Sequence, residues 1–388
     1  MRSTWNVRKL ITGAVLLFAS PALHAAKKGA TPSSYFVYIG TYTSSASKGI
    51  YVFRFDPSNG TATVPQLAAE TKNPSFLAAD PDGRFLYAVN EVSDYEGKKS
   101  GAVSAFSIGR DGKLTFLNQV PSQGAGPCHV SLDKTGKNVL VANYDSGSVA
   151  VFHVAKDGKL GQPTASIQHV GHGTDPLRQE AAHAHQIATS PDNHFVIAAD
   201  LGLDQLLIYR FDPQKGTLAP NTPPYAKVED ASGARHFAFA PNGRFLYVLE
   251  EMRSAVSAFV YDASSGALTH LQTISNLPAD FNGSKEAAEI AVHPSGKFLY
   301  ASNRGHDSIA VFAIAADGKL SNVEYVPTGG KTPRGFALDP TGLYLLVGNQ
   351  ESDNVVVFRI DQNTGRLTVQ GKPLDVPSPV SIEFVKRN

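Results

Sequence analysis

Six copies of one hairpin signature run through the chain, and this repetition limits the folds that the sequence can adopt. Each copy has a tight turn followed by an aromatic or aliphatic run such as Phe245-Leu246-Tyr247. The turns are Pro81-Asp82-Gly83, Lys134-Thr135-Gly136, Pro191-Asp192-Asn193, Pro241-Asn242-Gly243, Pro294-Ser295-Gly296 and Pro340-Thr341-Gly342. They recur every 46 to 57 residues, and a period of this length is typical of repeat architectures. Features that all copies share are structural, so a residue that one copy alone carries needs another explanation.

A second turn repeats seven times, once more than the first. Its copies are Asn59-Gly60, Asp111-Gly112, Asp157-Gly158, Lys215-Gly216, Ser265-Gly266, Asp317-Gly318 and Thr364-Gly365. Between the turns lie short apolar runs bounded by Gly, Pro, Asn and Asp, which indicate strands and hairpins. In one copy the predicted strands are 235–240, 245–249, 255–259 and 268–274. Each repeat therefore contains four antiparallel strands.

The missing first hairpin is explained if the ring of repeats closes on itself. Residues 380–384 resemble a first strand and residues 35–39 resemble a second strand. One repeat would then combine the C-terminal strand with three N-terminal strands. This pattern predicts an all-β fold, a seven-bladed β-propeller over residues 35–388, which leaves few exposed sheet edges. An array of β-sandwiches is the less favoured alternative because it does not explain the split seventh repeat.

One position in the predicted first strands is always small. Five residues before the last residue of each tight turn stand Ala78, Ser131, Ala188, Ala238, Ala291 and Ala337. First strands crowd together at the axis of a propeller, so we interpret this position as a packing requirement.

The first 25 residues are typical of a secretory signal peptide. Arg2, Arg8 and Lys9 form a basic start, residues 10–19 are apolar, and residues 22–25 offer small side chains for cleavage. The apolar stretch is short for a membrane span, so an uncleaved anchor is the alternative interpretation. We expect a disordered segment at 26–34 and a periplasmic or secreted protein.

Composition excludes several classes of function. The formal net charge of +1 gives the chain no general attraction to nucleic acid or to anionic membranes. Cys128 is the single cysteine, so the chain can form no internal disulfide. The 12 histidines include no HExxH pair, and we expect neither a structural metal nor a cofactor.

The copies differ at one rim of the predicted ring, where each first strand begins beside the end of the second. Eight residues before the last turn residue stand Ser75, Cys128, His185, Arg235, Ala288 and Arg334, and seven before it stand Phe76, His129, Gln186, His236, Glu289 and Gly335. Eight residues after it stand Glu91, Tyr144, Leu201, Glu251, Arg304 and Gln350, and His183 lies near His185. We expect a ligand site at this mouth of the channel, although polar residues are also ordinary on a solvated rim.

These residues make the chain resemble the propeller-type lactonases, the family of the propeller form of 6-phosphogluconolactonase and of the fungal carboxymuconate lactonising enzyme. The matching stretches are Gly126-Pro127-Cys128-His129, Asn143-Tyr144, His183-Ala184-His185, Ala199-Asp200-Leu201-Gly202, Gly233-Ala234-Arg235-His236, Glu251, Asn303-Arg304-Gly305-His306-Asp307 and Pro333-Arg334-Gly335-Phe336. The resemblance covers most of the chain from about Tyr35 onward. It implies metal-free chemistry on a lactone, with the family's functional positions at His185, Arg235 and Glu251. The export signal leaves open whether that lactone is phosphorylated.

Hydrolysis of a lactone requires an activated water molecule and a partner for the oxyanion that develops on the carbonyl oxygen. Arg235 is the predicted oxyanion partner. His185 is the favoured base because its unperturbed pKa lies near working pH, while Glu251 could orient it or be the base itself. The predicted substrate-binding residues are His129, Tyr144, His183, His236, Arg304 and Arg334. A nucleophilic role for Cys128 is less favoured than a packing role.

Two other functions remain open at this point. A cyclase or isomerase that forms a lactone from an unsaturated dicarboxylate would use the same Arg and His groups. A non-catalytic exported propeller that binds a protein or glycan would instead require an exposed apolar patch. The expected partner is a small sugar lactone or a related carboxylate, bound by a monomer with no affinity for nucleic acid or, after signal cleavage, for membranes.

Overall fold

The described residues of this computed structural model are 1, 2, 4, 34–43 and 46–386. The predicted signal peptide and the segment after it lie outside them, apart from residues 1, 2, 4 and 34. No helix among the described residues has the length and apolarity needed to cross a membrane.

Seven antiparallel sheets account for almost all of the regular structure. The strands of the split sheet are β1 (Tyr35–Thr41), β2 (Gly49–Asp56), β3 (Thr61–Ala62), β4 (Gln66–Glu70) and, from the C-terminus, β30 (Pro379–Lys386). Blade 1 contains β5 (Leu77–Ala79), β6 (Phe85–Asn90), β7 (Ala102–Ile108) and β8 (Leu114–Pro121). Blade 2 contains β9 (Pro127–Leu132), β10 (Asn138–Asn143), β11 (Ser148–Val154) and β12 (Leu160–Gln168). Blade 3 contains β13 (Ala184–Thr189), β14 (Phe195–Asp200), β15 (Gln205–Asp212) and β16 (Thr217–Lys227).

The remaining three blades follow the same order. Blade 4 contains β17 (Ala234–Phe239), β18 (Phe245–Glu250), β19 (Ala255–Tyr261) and β20 (Leu268–Ser275). Blade 5 contains β21 (Ala287–Val292), β22 (Phe298–Asn303), β23 (Ser308–Ile314) and β24 (Leu320–Pro327). Blade 6 contains β25 (Pro333–Leu338), β26 (Tyr344–Asn349), a 3-10 turn (Gln350–Ser352), β27 (Asn354–Ile360), β28 (Leu367–Val369) and β29 (Leu374–Asp375). The predicted seven-bladed propeller with four antiparallel strand positions per blade is confirmed.

Pairing between β30 and β1 closes the ring, as the split seventh repeat predicts. Tyr35 lies opposite Lys386 at one end of this pair, and Thr41 lies opposite Pro379 at the other. The innermost strands β5, β9, β13, β17, β21, β25 and β30 contact one another in a closed circle around the central channel. The outermost strand positions of blade 6 and of the split blade are each broken into two short pieces, near Pro373 and Pro65 respectively, because proline has no N–H for the ladder.

Tyrosines of the repeated aromatic run bind each blade to the next. The hydroxyls of Tyr38, Tyr87, Tyr247 and Tyr300 donate to the carbonyls of Gly112, Gly158, Gly318 and Gly365, at distances of 2.8–3.1 Å. All four side chains are fully buried. Gly318 has φ +87°, and a Cβ there would lie 2.4 Å from Phe245. The glycine of the second turn is therefore required both by its backbone conformation and by the neighbouring blade.

Replacing Tyr247 by Phe should lower the free energy of unfolding by about 1 kcal/mol, because it removes one buried hydrogen bond and leaves the packing intact. Tyr225, whose side chain is 43% exposed, provides the matched control, and Tyr225→Phe should change the stability little. Chemical denaturation of the two variants measures both effects. If the two variants had the same free energy of unfolding, the inter-blade hydrogen bond would make no specific contribution and the prediction would be wrong.

Candidate active site

A β-bulge in the innermost strand directs the predicted site residues into the mouth of the channel. In blade 3 Ala184 lies opposite Asp200 and Gln186 opposite Ala199, so His185 has no partner in the ladder. The same shift in blades 2, 4 and 6 and in the split blade leaves Cys128, Arg235, Arg334 and Val380 unpaired, and in blade 5 it includes Ala288 and Glu289. Bulges change the direction of a side chain beside a functional site, so two consecutive residues of each bulged strand can face the channel.

The mouth contains a cavity of about 310 Å³. Its lining residues are Glu91, Cys128, Tyr144, Asp145, Arg178, His185, Glu251, Glu286, Arg304 and Arg334. Of the predicted residues, five line this cavity: Tyr144, His185, Glu251, Arg304 and Arg334. Arg235 lies directly beneath it, whereas His129, His183 and His236 do not line it.

The carboxylate of Glu251 lies at the centre of the mouth and contacts three arginines. Its Oε2 accepts from Arg235 Nε at 2.8 Å and lies 3.1 Å from Arg304 Nη2. Its Oε1 accepts from Arg178 Nη2 at 2.6 Å. Burial alone would raise the pKa of this carboxyl, but the charges of Arg304, Arg235 and Arg178 outweigh burial and lower the pKa to about 2. Glu251 is therefore a permanent anion that neutralises part of the arginine charge.

His185 lies beside this anion as a neutral imidazole. Its Nε2 is 4.0 Å from Glu251 Oε2, and its Nδ1 is 3.7 Å from Cys128 Sγ. Burial, reinforced by the charges of Arg235 and Arg334, holds the pKa of His185 well below its usual value of 6.5. Burial also raises the pKa of the Cys128 thiol, which keeps the thiol protonated and agrees with a packing role.

A small recess lies beneath the mouth, between Arg235 and Arg334. Its volume is about 10 Å³, and its lining includes Arg235, His236, Arg334 and Glu91. A space of this size holds about one oxygen atom. Arg334 makes no hydrogen bond or ion pair with the described residues, and its Cζ lies 5.4 Å from the centre of the Tyr42 ring. Arg334 therefore has free donors at this recess, whereas Arg235 also binds Glu251 and the Ala288 carbonyl.

Aromatic rings from three blades fill the channel below the recess. The ring centres of Phe76 and His129 are 4.3 Å apart, and the ring of His236 lies 5.7 Å from Phe76 and 5.5 Å from His129. The Nδ1 of His236 is 3.0 Å from Glu289 Oε1. His129 and His236, predicted as substrate-binding residues, thus form part of the floor that separates the mouth from the rest of the channel.

His183 supports the site from behind. Its ring stacks on Tyr144 with centres 4.6 Å apart, and its Nδ1 lies 3.0 Å from the Tyr144 carbonyl. The structure therefore assigns His183 to the support of Tyr144.

Arg178 and Tyr42 are site residues that the sequence analysis missed. Arg178 belongs to the loop between β12 and β13, which makes the interval between the tight turns of Gly136 and Asn193 the longest in the chain. That long interval is the sequence feature that could have indicated it. Tyr42 follows β1 in the split blade, and its hydroxyl donates to Glu91 at 2.9 Å.

The buried Gln179 holds the loop of Arg178 in place. Its Nε2 donates to the Leu201 carbonyl at 2.8 Å, and its Oε1 accepts from the backbone N–H groups of Thr174 and Asp175, both at 3.1 Å. The loop is therefore attached to the end of β14, and Arg178 reaches the mouth from a fixed position.

Comparison with known proteins identifies the family. The profile described as "Lactonase, 7-bladed beta-propeller" matches residues 36–384. The chain belongs to this lactonase family. A relative in Bacillus subtilis strain 168 named 6-phosphogluconolactonase is 38% identical over 91% of this chain and 99% of its own length. A 6-phosphogluconolactonase of Formosa agariphila is 34% identical over 76% of this chain and 83% of its own length.

A solved member of the lactonase family has the same fold. The periplasmic gluconolactonase of Pseudomonas aeruginosa is 35% identical, with a TM-score of 0.85 over 91% of this chain and 99% of that chain. Within the described part of this lactonase-family chain, no group of three or more His, Cys, Asp or Glu side chains is arranged to hold a metal ion.

Replacing Glu251 by Gln should lower the stability by about 3 kcal/mol at neutral pH, because it leaves buried arginine charges without their anion. Glu229→Gln is the control, since Glu229 pairs with Arg253 where both side chains are about half exposed, and such pairs contribute little. Because the folded pKa of Glu251 is about 2, its contribution should be present above its usual pKa of about 4.5 and lost as the pH falls towards 2. Denaturation of both variants at several pH values measures this; equal stabilities at neutral pH would contradict it.

Proposed function

We propose that this chain hydrolyses an unphosphorylated sugar lactone of the gluconolactone type at the channel mouth, without a metal ion. The observation that carries the proposal is the recess between Arg235 and Arg334, which is large enough for one oxygen atom and lies beneath the cavity that His185 lines. A lactone carbonyl oxygen placed there receives donors from two guanidinium groups, which stabilise the negative charge of the transition state.

His185 is the general base in this proposal. A proton on Nδ1, next to Cys128, leaves the Nε2 lone pair to accept a proton from the attacking water. Glu251 then stabilises the resulting imidazolium from 4.0 Å. A carboxyl with a pKa of about 2 is a weak base, so the low pKa of Glu251 favours His185 for this role. The imidazolium returns the proton to the ring oxygen when the ester bond breaks, and the product is the open hydroxy acid.

The charge balance of the cavity supports a substrate without a phosphate group. Three arginines line the mouth, but four carboxyl groups, Glu91, Asp145, Glu251 and Glu286, line it as well. A phosphate dianion would require an excess of positive charge, whereas carboxylates accept hydrogen bonds from sugar hydroxyls. The solved relative that is named a periplasmic gluconolactonase agrees with this choice of substrate.

Export to the periplasm is part of the same proposal. The N-terminal sequence has the basic start and apolar stretch of a signal peptide, and sugar phosphates are scarce outside the cytosol. A charged mouth also favours a small polar ligand over the apolar docking surface that a non-catalytic binding protein would present.

Purified protein that begins at Ala26 should hydrolyse gluconolactone faster than 6-phosphogluconolactone, after subtraction of spontaneous hydrolysis. Arg334→Ala and Arg235→Ala should each lower kcat by about 10²–10³-fold, because each removes an oxyanion donor. Arg334→Ala tests the oxyanion role more directly, since Arg334 makes no hydrogen bond with the described residues that the substitution would also remove.

The control for this experiment is Arg253→Ala, which removes an exposed arginine outside the mouth. Analysis of the product distinguishes the open hydroxy acid from a cyclised one. Full activity of Arg334→Ala would remove the recess from the mechanism, and a preference for the phosphorylated lactone would overturn the choice of substrate.

The pH dependence should report the low pKa of His185. Because the base acts as a neutral imidazole, kcat/KM should stay constant from pH 8 to pH 6.5 and fall only below this range. Arg334→Ala removes a positive charge that lowers the pKa of His185, so its residual activity should begin to fall at a higher pH. Initial rates across this range measure both effects, and a wild-type acid limb above pH 6.5 would exclude His185 as the base.

A further inference from the structure

The innermost strand of the split blade lacks the small residue that the other six innermost strands carry along the channel. Ala78, Ser131, Ala188, Ala291 and Ala337 line the channel as the sequence predicts. The corresponding residue of β30 is Glu383, because β30 takes the place of a first strand and Val380 is its bulge residue. At this position β30 therefore carries a carboxyl group, whereas the innermost strands of the other six blades carry Ala or Ser.

Glu383 has no cationic partner among the described residues. Its Oε1 accepts from the Ala79 backbone N–H at 3.1 Å, and no ion pair includes it. Burial raises the pKa of this carboxyl to about 7. The side chain is half-buried, and its Oε2 has no hydrogen-bond donor among the described residues, so it can accept a hydrogen bond from a ligand in the channel.

Two cavities meet at Glu383 on the side of the floor opposite the mouth. One has a volume of about 340 Å³ and includes Glu289 and Asp339 in its lining. The other has a volume of about 540 Å³ and includes His129, Asp133 and Lys134. Phe76, Leu77 and Glu383 line both. The linings also include Pro81, Pro294 and Pro340 of the tight turns, so a ligand can enter from the turn face.

His129 is a second polar group without a partner at this place. Its side chain lines the larger cavity, the residue is 4% exposed, and it makes no hydrogen bond within the described residues. Burial holds the pKa of His129 well below its usual value, so the ring is neutral and one nitrogen can accept a hydrogen bond. Buried polar groups are normally satisfied, and an N–H donor from a ligand would satisfy this one.

We propose that the turn-face half of the channel binds a small organic cation with N–H donors, such as an alkylammonium or a diamine. Glu383 and Glu289 provide acceptors for its ammonium groups, and Asp133 and Asp339 add negative charge nearby. Lys134 is the one cationic side chain in either lining. The described residues offer no group of three ligands for a metal ion, whereas an ammonium group can donate a hydrogen bond to a single carboxyl group.

This site is separate from the mouth and does not depend on the proposed lactonase activity. The aromatic floor of Phe76, His129 and His236 lies between the two. A ligand in the turn-face cavity can therefore be tested with the Tm of each ligand-free variant as the measure of correct folding.

Isothermal titration calorimetry of the folded protein with 1,4-diaminobutane tests the proposal. We expect saturable binding at one site and a higher Tm in the presence of the diamine. Tetramethylammonium chloride, which has no N–H donor, and NaCl at the same ionic strength should give at least tenfold weaker effects. Glu383→Ala introduces the residue that five other blades carry, so the variant should fold; it should lose the binding at least tenfold and keep its kcat/KM for gluconolactone.

The matched control is Glu70→Gln, which changes an exposed carboxyl on another part of the surface and should leave the diamine binding unchanged. Absence of binding to the wild-type protein, or equal binding by Glu383→Ala, would overturn the proposal. Equal effects of NaCl and the diamine would also overturn it, since they would indicate general screening of charge. The calorimetric binding and the Tm are measured without a lactone, so these outcomes do not depend on whether the protein hydrolyses one.

Discussion

The pairing of β30 with β1 is the interaction on which the rest of the molecule depends. It joins residues that are separated by almost the whole length of the propeller, so its entropic cost is high and many contacts must form together. Once the pair forms, the seven innermost strands close into a circle and the channel acquires a defined width. Open ends of such an array would leave sheet edges unpaired, and neither the mouth nor the turn-face cavity would have a complete lining.

The bulges convert this regular frame into a chemical site. A regular strand would turn every second side chain into the channel. The unpaired residue near the start of each bulged strand adds a further side chain, and His185, Arg235 and Arg334 all occupy that position. The mouth therefore contains more charge than a regular propeller could direct into it. The carboxylate of Glu251 offsets the repulsion among these positive charges because it contacts three of the guanidinium groups.

The repeat allowed much of this structure to be predicted from the sequence. Strand order, the split blade and the small residues of the channel all followed from aligning the copies, because each copy must satisfy the same packing. Five of the nine predicted site residues line the mouth for the same reason. The bulges could not be predicted, since a single unpaired residue changes neither the apolar pattern nor the spacing of the turns. His129 and His236, which the sequence predicts as substrate-binding residues, lie in the floor beneath the mouth.

The sequence pattern was least informative where one element has no counterpart in the other blades. Arg178 belongs to a loop that only one blade connection contains, and Tyr42 belongs to the blade whose strands come from both ends of the chain. Glu383 escaped attention for the second reason. The other six first strands are each followed by a tight turn that sets their alignment, whereas β30 ends near the C-terminus and has no such turn.

The closing pair also determines where the two ends of the propeller lie. Tyr35 and Lys386 are neighbours at the face that carries the tight turns, while Thr41 and Pro379 are neighbours at the mouth. A fusion partner, an affinity tag or a surface linker attached at either end would therefore project from the side opposite the arginine-rich cavity. A short peptide joining the two ends would yield a circular chain that could be opened at another blade connection, with the arginine-rich cavity left clear.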